Sequence, residues 1–141
     1  MKGRAVVAGS ARGVAVVSKM PLSLWGGLDP ATGKITDRLH DRFGEVVAGR
    51  VFAFPTGKGS STASAVLLES VRLGTAPAAI INSSLDPILA LGAIVANELY
   101  GRFLPVVVVP EEAFAALADG DEVAVEPDGT VEVRRAGGGS C

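Results

Sequence analysis

Cysteine is almost absent: the single one is Cys141. One thiol cannot close an internal disulfide, and it cannot build a metal cluster alone. Histidine is equally scarce. His40 stands alone, with no second histidine and no acidic pair at ligand spacing, so a complete metal site within this chain is not expected. Charge of one sign is missing too. Lys+Arg 13 against Asp+Glu 15 leaves a net charge of −2, without the cationic excess that nucleic acid or an anionic membrane surface requires. No apolar run reaches bilayer length; the longest, ILALGAIVANELYG, is cut by Asn97 and Glu98. The opening MKGRAVVAGSARG carries basic residues but only a short apolar run before Ala11, Arg12 and Gly13, which does not read as a signal peptide. These absences point to a soluble cytoplasmic domain with neither nucleic acid nor membrane as partner.

What is present is apolar and well punctuated. The chain is 48% hydrophobic and 20% charged, the balance of a folded core rather than a disordered segment. At 141 residues one domain is expected, spanning 1–135, with AGGGSC (136–141) as a flexible tail. GRAVVAG and GVAVVS read as a hairpin or as two neighbouring strands. Lys19–Gly44 has no period and many breakers, and reads as a long functional loop suited to an interface. GRVFAF (49–54) is a strand. Ser61–Leu73 is a helix stopped by Gly74, and PAAIIN is a buried strand. Asp86 and Pro87 open a helix that runs to Tyr100 and stops at Gly101. PVVVVP has the continuous apolarity of a strand buried on both faces. Glu111–Ala118 is a third helix with acids in its first turn. DEVAVEPDGTVEVRR is a hairpin around Asp-Gly. The alternating centre implies parallel strands joined by crossover helices, flanked by antiparallel strands: an α/β domain with a mixed sheet.

Two segments carry more polar chemistry than capping requires. In FPTGKGSSTASAVLLES a strand ends in a glycine-rich turn and a helix follows. The spacing is neither a Walker phosphate loop nor a dinucleotide fingerprint. Exposed turn amides, a helix N-terminus and the Lys58 charge remain the elements of an anion site. Ser60 or Ser61 acting simply as helix cap is the structural alternative. NSSLDP lies where the next strand gives way to its helix, the end at which open α/β sheets bind ligands. Capping by Asp86 and Pro87 is again the structural alternative, and Asn82, Ser83 and Ser84 are surplus to it. In the long loop, His40 beside Asp37 and Asp41 reads as a surface residue, and Trp25 beside Gly26 and Gly27 as a packing anchor or a lid.

The segments VVSKMPLSLWGGLDPATGKITDRLH, GRVFAFPTGKGSSTASAVLLE and AIINSSLDPILALGAIVANELYG, followed by PVVV, resemble the small subunit of the aconitase-X group. That subunit is the swivelling domain of a split aconitase-like dehydratase. The likeness runs from about Lys2 to Arg134. It implies the swivelling β/β/α fold, a mixed sheet partly closed into a barrel with flanking helices. Within the group the segments look most like the small subunits of archaeal phosphomevalonate dehydratase. This implies dehydration of (R)-5-phosphomevalonate to trans-anhydromevalonate 5-phosphate in the modified mevalonate pathway. Activity would require a large subunit that holds a 4Fe–4S cluster. The resemblance makes Ser60 the base, with Lys58, Gly59, Ser61, Thr62, Asn82 and Ser83 binding substrate. In aconitase an arginine follows the serine pair; Thr62 here suits a substrate with fewer carboxylates than citrate. A cis-3-hydroxyproline dehydratase, and a non-catalytic module binding an anionic metabolite, stay open as alternatives.

Overall fold

Valine-rich segments bounded by glycine or proline become strands, and the alanine- and leucine-rich segments between them become helices. In the computed structural model, which describes residues 1–57 and 62–135, the order is β1 (Arg4–Val7), β2 (Ala11–Val17), α1 (Leu24–Gly27), β3 (Leu28–Asp29), β4 (Lys34–Ile35), β5 (Val51–Ala53), α2 (Thr62–Leu73), β6 (Ala79–Asn82), α3 (Pro87–Tyr100), β7 (Val106–Val108), α4 (Glu111–Ala115), β8 (Glu122–Val125) and β9 (Val131–Arg134). A seven-stranded sheet has the order β1-β7-β6-β5-β2-β8-β9. β2, β5, β6 and β7 are parallel; β1 and the β8–β9 hairpin flank them antiparallel. No helix among the described residues is long and apolar enough to cross a membrane.

The sheet curls until its edges meet. The Gly3 amide donates to Gly129 O at 2.9 Å, and the Met1 and Val131 main chains exchange bonds of 2.7 and 2.8 Å. Lys2 pairs with Thr130 as an antiparallel bridge, and its ammonium reaches Asp128 at 3.0 Å. Gly129, at φ +91°, is required twice: by the turn and by the seam, where a Cβ would stand 2.5 Å from Gly3 O. This is the partly closed barrel expected from the sequence.

Period-two alternation divides the strands between two cores. Small residues fill the concave face: Ala15, Val51, Ala53, Ala79, Ile81, Val107, Val123, Val125 and Val131, with Leu117 and Phe114 against them. The convex face carries Val16, Phe52, Ile80 and Val106, covered by Leu67 and Val71 of α2 and Leu89, Ala93 and Ala96 of α3. Val106 and Val107 thus serve opposite cores, as the continuously apolar strand predicts. α3 starts where expected: Asp86 Oδ1 accepts from the Ile88 amide at 3.0 Å, Pro87 occupies the first turn, and Gly101 (φ +64°) ends the helix. Gly92 lets α2 approach: a Cβ there would lie 3.1 Å from Ser64 O.

Three expectations change. β1 and β2 are not a hairpin or neighbours; β7, β6 and β5 lie between them. The link between them is not a two-residue hairpin turn, and it carries the chain from the edge strand β1 to β2 in the interior of the sheet. The third helix stops at Ala115 rather than Ala118. Beyond it the amides make i→i−3 bonds, Ala116 to Ala113 and Leu117 to Phe114, and the buried Asp121 takes the Ala118 amide at 3.1 Å. The Lys19–Gly44 segment is not structureless. It forms α1 and the β3–β4 ribbon and inserts Leu22, Leu24, Leu28 and Ile35 into the convex core. Each such burial contributes about 1.5–3 kcal/mol. Leu39 and Phe43 face outward, 86% and 50% exposed. The expected tail, 136–141, lies outside the described residues.

Candidate active site

The parallel strands end together at one rim of the sheet, and the turns that leave them converge there. After β5 the chain runs Phe54, Pro55, Thr56, Gly57, and α2 begins at Thr62. Lys58, Gly59, Ser60 and Ser61 lie outside the described residues. The chain on either side of them is held by specific contacts. On the strand side the stem is gripped from both flanks. The Leu22 amide donates to Thr56 O at 3.2 Å, and Leu22 bridges Gly57 in parallel. On the other flank Pro55 O accepts from the amides of Ser83 (3.0 Å) and Ser84 (3.1 Å). A methyl at Gly57 would overlap Asp86 Oδ2 and displace the carboxylate that caps α3. Asp86 therefore caps α3 with one oxygen and fits against the stem with the other. On the helix side α2 has 12 residues and no acidic side chain in its first turn, so its positive N-terminal end is not neutralised from within.

Asn82 ends β6 and is 1% exposed. Its Nδ2 donates to Phe54 O at 2.9 Å, and Oδ1 has no partner among the described residues. The side chain is a staple between two strand ends, turned into the protein. Ser83, next in the chain, faces the rim. It lines a cleft of about 430 Å³ with Lys19, Pro55, Glu111 and Phe114, and a second of about 600 Å³ with Arg4, Ser84 and Pro110. Thus Asn82 and Ser83 both arrive beside the stem, one as support and one as lining, and Thr62 opens α2.

The end of β2 is fixed by a network that sequence reading missed. His40 is 5% exposed, not a surface residue. Its Nδ1 accepts from the Arg42 amide at 3.1 Å, which leaves Nε2–H to donate to Ser18 Oγ at 3.0 Å. Ser18 in turn donates to Asp41 Oδ1 at 2.7 Å, and the Lys19 amide donates to Asp41 Oδ2 at 3.0 Å. For Asp41, burial pushes the carboxyl up, but the Ser18 and Lys19 hydrogen bonds with the nearby His40 and Arg42 outweigh it and hold the pKa below the ordinary value. The order Asp41–Ser18–His40 places the hydroxyl between acid and imidazole, and Ser18 is fully buried. This is a strut that holds Lys19 at the rim, not a nucleophile. Trp25 lies in α1. Among the described residues no group of three His, Cys, Asp or Glu could hold a metal ion.

The whole arrangement has close parallels. The chain is 45% identical over 137 residues to cis-3-hydroxy-L-proline dehydratase of Pseudomonas aeruginosa, covering 94% of this chain but 22% of that enzyme. An enzyme of the same name from Hypocrea jecorina is covered to 23%, so the chain spans under a quarter of these relatives. It is 39% identical over 134 residues to the phosphomevalonate dehydratase small subunit of Methanocella arvoryzae, covering 94% of this chain and 96% of that subunit. The crystal structure of Thermococcus kodakaraensis aconitase X in its holo-form superposes with a TM-score of 0.86 at 38% identity, covering 95% and 97% of the two chains. With residues 1–133 matching the aconitase X swivel domain as well, the chain belongs to the aconitase X swivel-domain family.

Proposed function

We propose that residues 1–135 form one swivelling unit that acts as the small subunit of a heteromeric aconitase-like hydro-lyase, and that its substrate is (R)-5-phosphomevalonate. One observation carries this reading. The stem Phe54–Gly57, clamped by Leu22, Ser83, Ser84 and Asp86, and the start of α2 at Thr62 bracket residues 58–61 at the rim where the parallel strands end. A turn so placed suits an anionic substrate, and the family's relatives named as dehydratases make dehydration the reaction it would serve.

In this reading Ser60 takes the proton from the carbon next to the substrate carboxylate. The electron pair of that bond becomes the new double bond, and the hydroxyl on the neighbouring carbon leaves, completing loss of water. Serine is a weak base unless its alkoxide is stabilised. The α2 N-terminus, the turn amides and Lys58 supply positive potential for that. Ser61, Thr62 and Gly59 bind the carboxylate, and Asn82 holds the stem.

An iron–sulfur cluster is bound through a set of thiolates. This chain has one cysteine, and its described residues contain no candidate cluster of ligands, so the residues present do not fit such a group. A 4Fe–4S cluster would be held by the large subunit. The small-subunit name of the Methanocella relative supports such a partner.

The 45% identity to the Pseudomonas enzyme favours a second reading, dehydration of cis-3-hydroxyproline by the same residues. Co-expression with a candidate large subunit, followed by an anaerobic assay of both substrates, separates the two. Turnover of 5-phosphomevalonate is the expected result. Turnover of hydroxyproline alone moves the assignment, and turnover of neither by an assembled complex leaves a non-catalytic anion-binding module.

A further inference from the structure

The rim has a second arm that the dehydration chemistry does not use. Arg4, at the start of β1, sits opposite Val108 at the end of β7, beside the turn that leaves β6. Arg4 lines the cleft of about 600 Å³ together with Lys2, Gly3, Ser83, Ser84 and Pro110. No acidic side chain lines this cleft. Lys2, at its lip, is engaged with Asp128 at 3.0 Å. Arg42, Arg50, Arg72 and Arg134 each have an acidic partner. The Arg4 guanidinium, like those of Arg12 and Arg38, has none, and no side-chain hydrogen bond, among the described residues; Arg4 is the one of these three that lines the cleft. The Ser84 hydroxyl is likewise unengaged there, although the Ser84 amide is committed to Pro55 O. Ser83 lines both this cleft and the smaller one beside Lys19. A ligand lying across Ser83 therefore reaches from the stem of the 58–61 turn to Arg4.

We propose that the cleft formed by Arg4, Ser83 and Ser84 is a phosphate-binding subsite that holds the far, phosphorylated end of a substrate whose reacting end lies at the 58–61 turn. A guanidinium presents a planar fork of donors that matches two phosphate oxygens, and the Ser84 hydroxyl supplies a donor to a third; the Ser83 hydroxyl donates to Pro55 O at 3.4 Å and would exchange that long bond for the ligand. Gly3 is fixed in place: a Cβ there would stand 2.5 Å from Val107 Cγ1, so the main chain beside Arg4 lies flush on β7. Only the identity of the ligand's other end rests on the dehydratase reading; the affinity for phosphate rests on the cleft.

The test has two arms. In the first, the ¹⁵N-labelled full chain is titrated with inorganic phosphate. Saturable shifts are expected at the amides of Gly3, Arg4, Ser83 and Ser84, weakened about ten- to a hundredfold in Arg4→Gln and partly restored in Arg4→Lys. Shifts that never saturate, that map elsewhere, or that are unchanged in Arg4→Gln overturn the subsite. A dispersed spectrum for each variant establishes that it is folded. In the second arm, Arg4→Gln is assembled with the large subunit. The KM for a phosphorylated hydroxy acid should rise about ten- to a hundredfold, with kcat within about threefold of wild type. An unchanged KM on that substrate again overturns the subsite. If the wild-type complex turns over nothing yet the phosphate shifts persist, the dehydratase reading falls and the subsite stands.

Discussion

At the scale of single residues, cap and catalyst are separable by magnitude. Replacing Ser60 by alanine should cost at most one helix cap, about 1 kcal/mol of stability. A lost base should lower kcat by about two to four orders of magnitude. Ser61→Ala is the control, since a binding serine raises KM more than it lowers kcat. Steady-state kinetics beside thermal melts decide the matter, and normal turnover by both variants would make the turn purely structural. Asn82 predicts a different signature. With Nδ2 on Phe54 O and the side chain almost fully buried, Asn82→Ala should cost about 1–3 kcal/mol. Asn82→Asp should cost more, because it turns a carboxylate oxygen onto a buried carbonyl. If differential scanning calorimetry gave Asp the milder effect, the staple would be misassigned. Asn82 and Ser83 were legible because they exceed what a cap needs. Arg4 was not, because it lies in an ordinary β-branched run and meets Ser83 only through the order of the sheet.

At the scale of elements, α2 and α3 touch through the absence of a side chain. Gly92 faces Ser64 with main chain and Cβ about 3.1–3.2 Å from where a Cβ would stand. Gly92→Leu should therefore push the helices apart and cost about 1–3 kcal/mol or more, read as a lowered midpoint in urea. A midpoint equal to wild type would mean that the contact is slack. The helices and parallel strands could be read in advance because local signals agree: Asp86 and Pro87 open α3, Gly101 closes it, and alternation marks the strands. The Lys19–Gly44 segment could not. Leu22, Leu24, Leu28 and Ile35 enter the core at a mixture of strand-like and helix-like spacings broken by Gly26, Gly27, Pro30 and Gly33, so no single period marks their burial. His40 was misread for the same reason: its partner Ser18 is 22 residues away across that segment.

At the scale of the whole molecule, the barrel is held shut by the pairing of residues 1–3 with 129–131. Asp128 reinforces it. The Thr130 amide and hydroxyl, and then Lys2, hold its carboxyl down to about 2. A carboxyl with a lowered folded-state pKa stabilises fully above the ordinary carboxylate range and less as pH falls toward its own value. Melting temperature should therefore decline between about pH 4 and pH 2, and Asp128→Asn should flatten part of that decline. An identical pH profile in the variant would remove Asp128 from the account. The seam also bears on how the protein is made. β1 leaves the ribosome well before its partner β7 and the seam residues around Gly129. Until Gly129 to Val131 emerge, both margins of the growing sheet present unpaired main chain, the form most open to proteases and to sticking. Nascent chains arrested with Gly129 still in the exit tunnel should be cut readily at low protease levels, and chains extended far enough to expose Arg134 should resist, so that protection arrives in one late step rather than strand by strand.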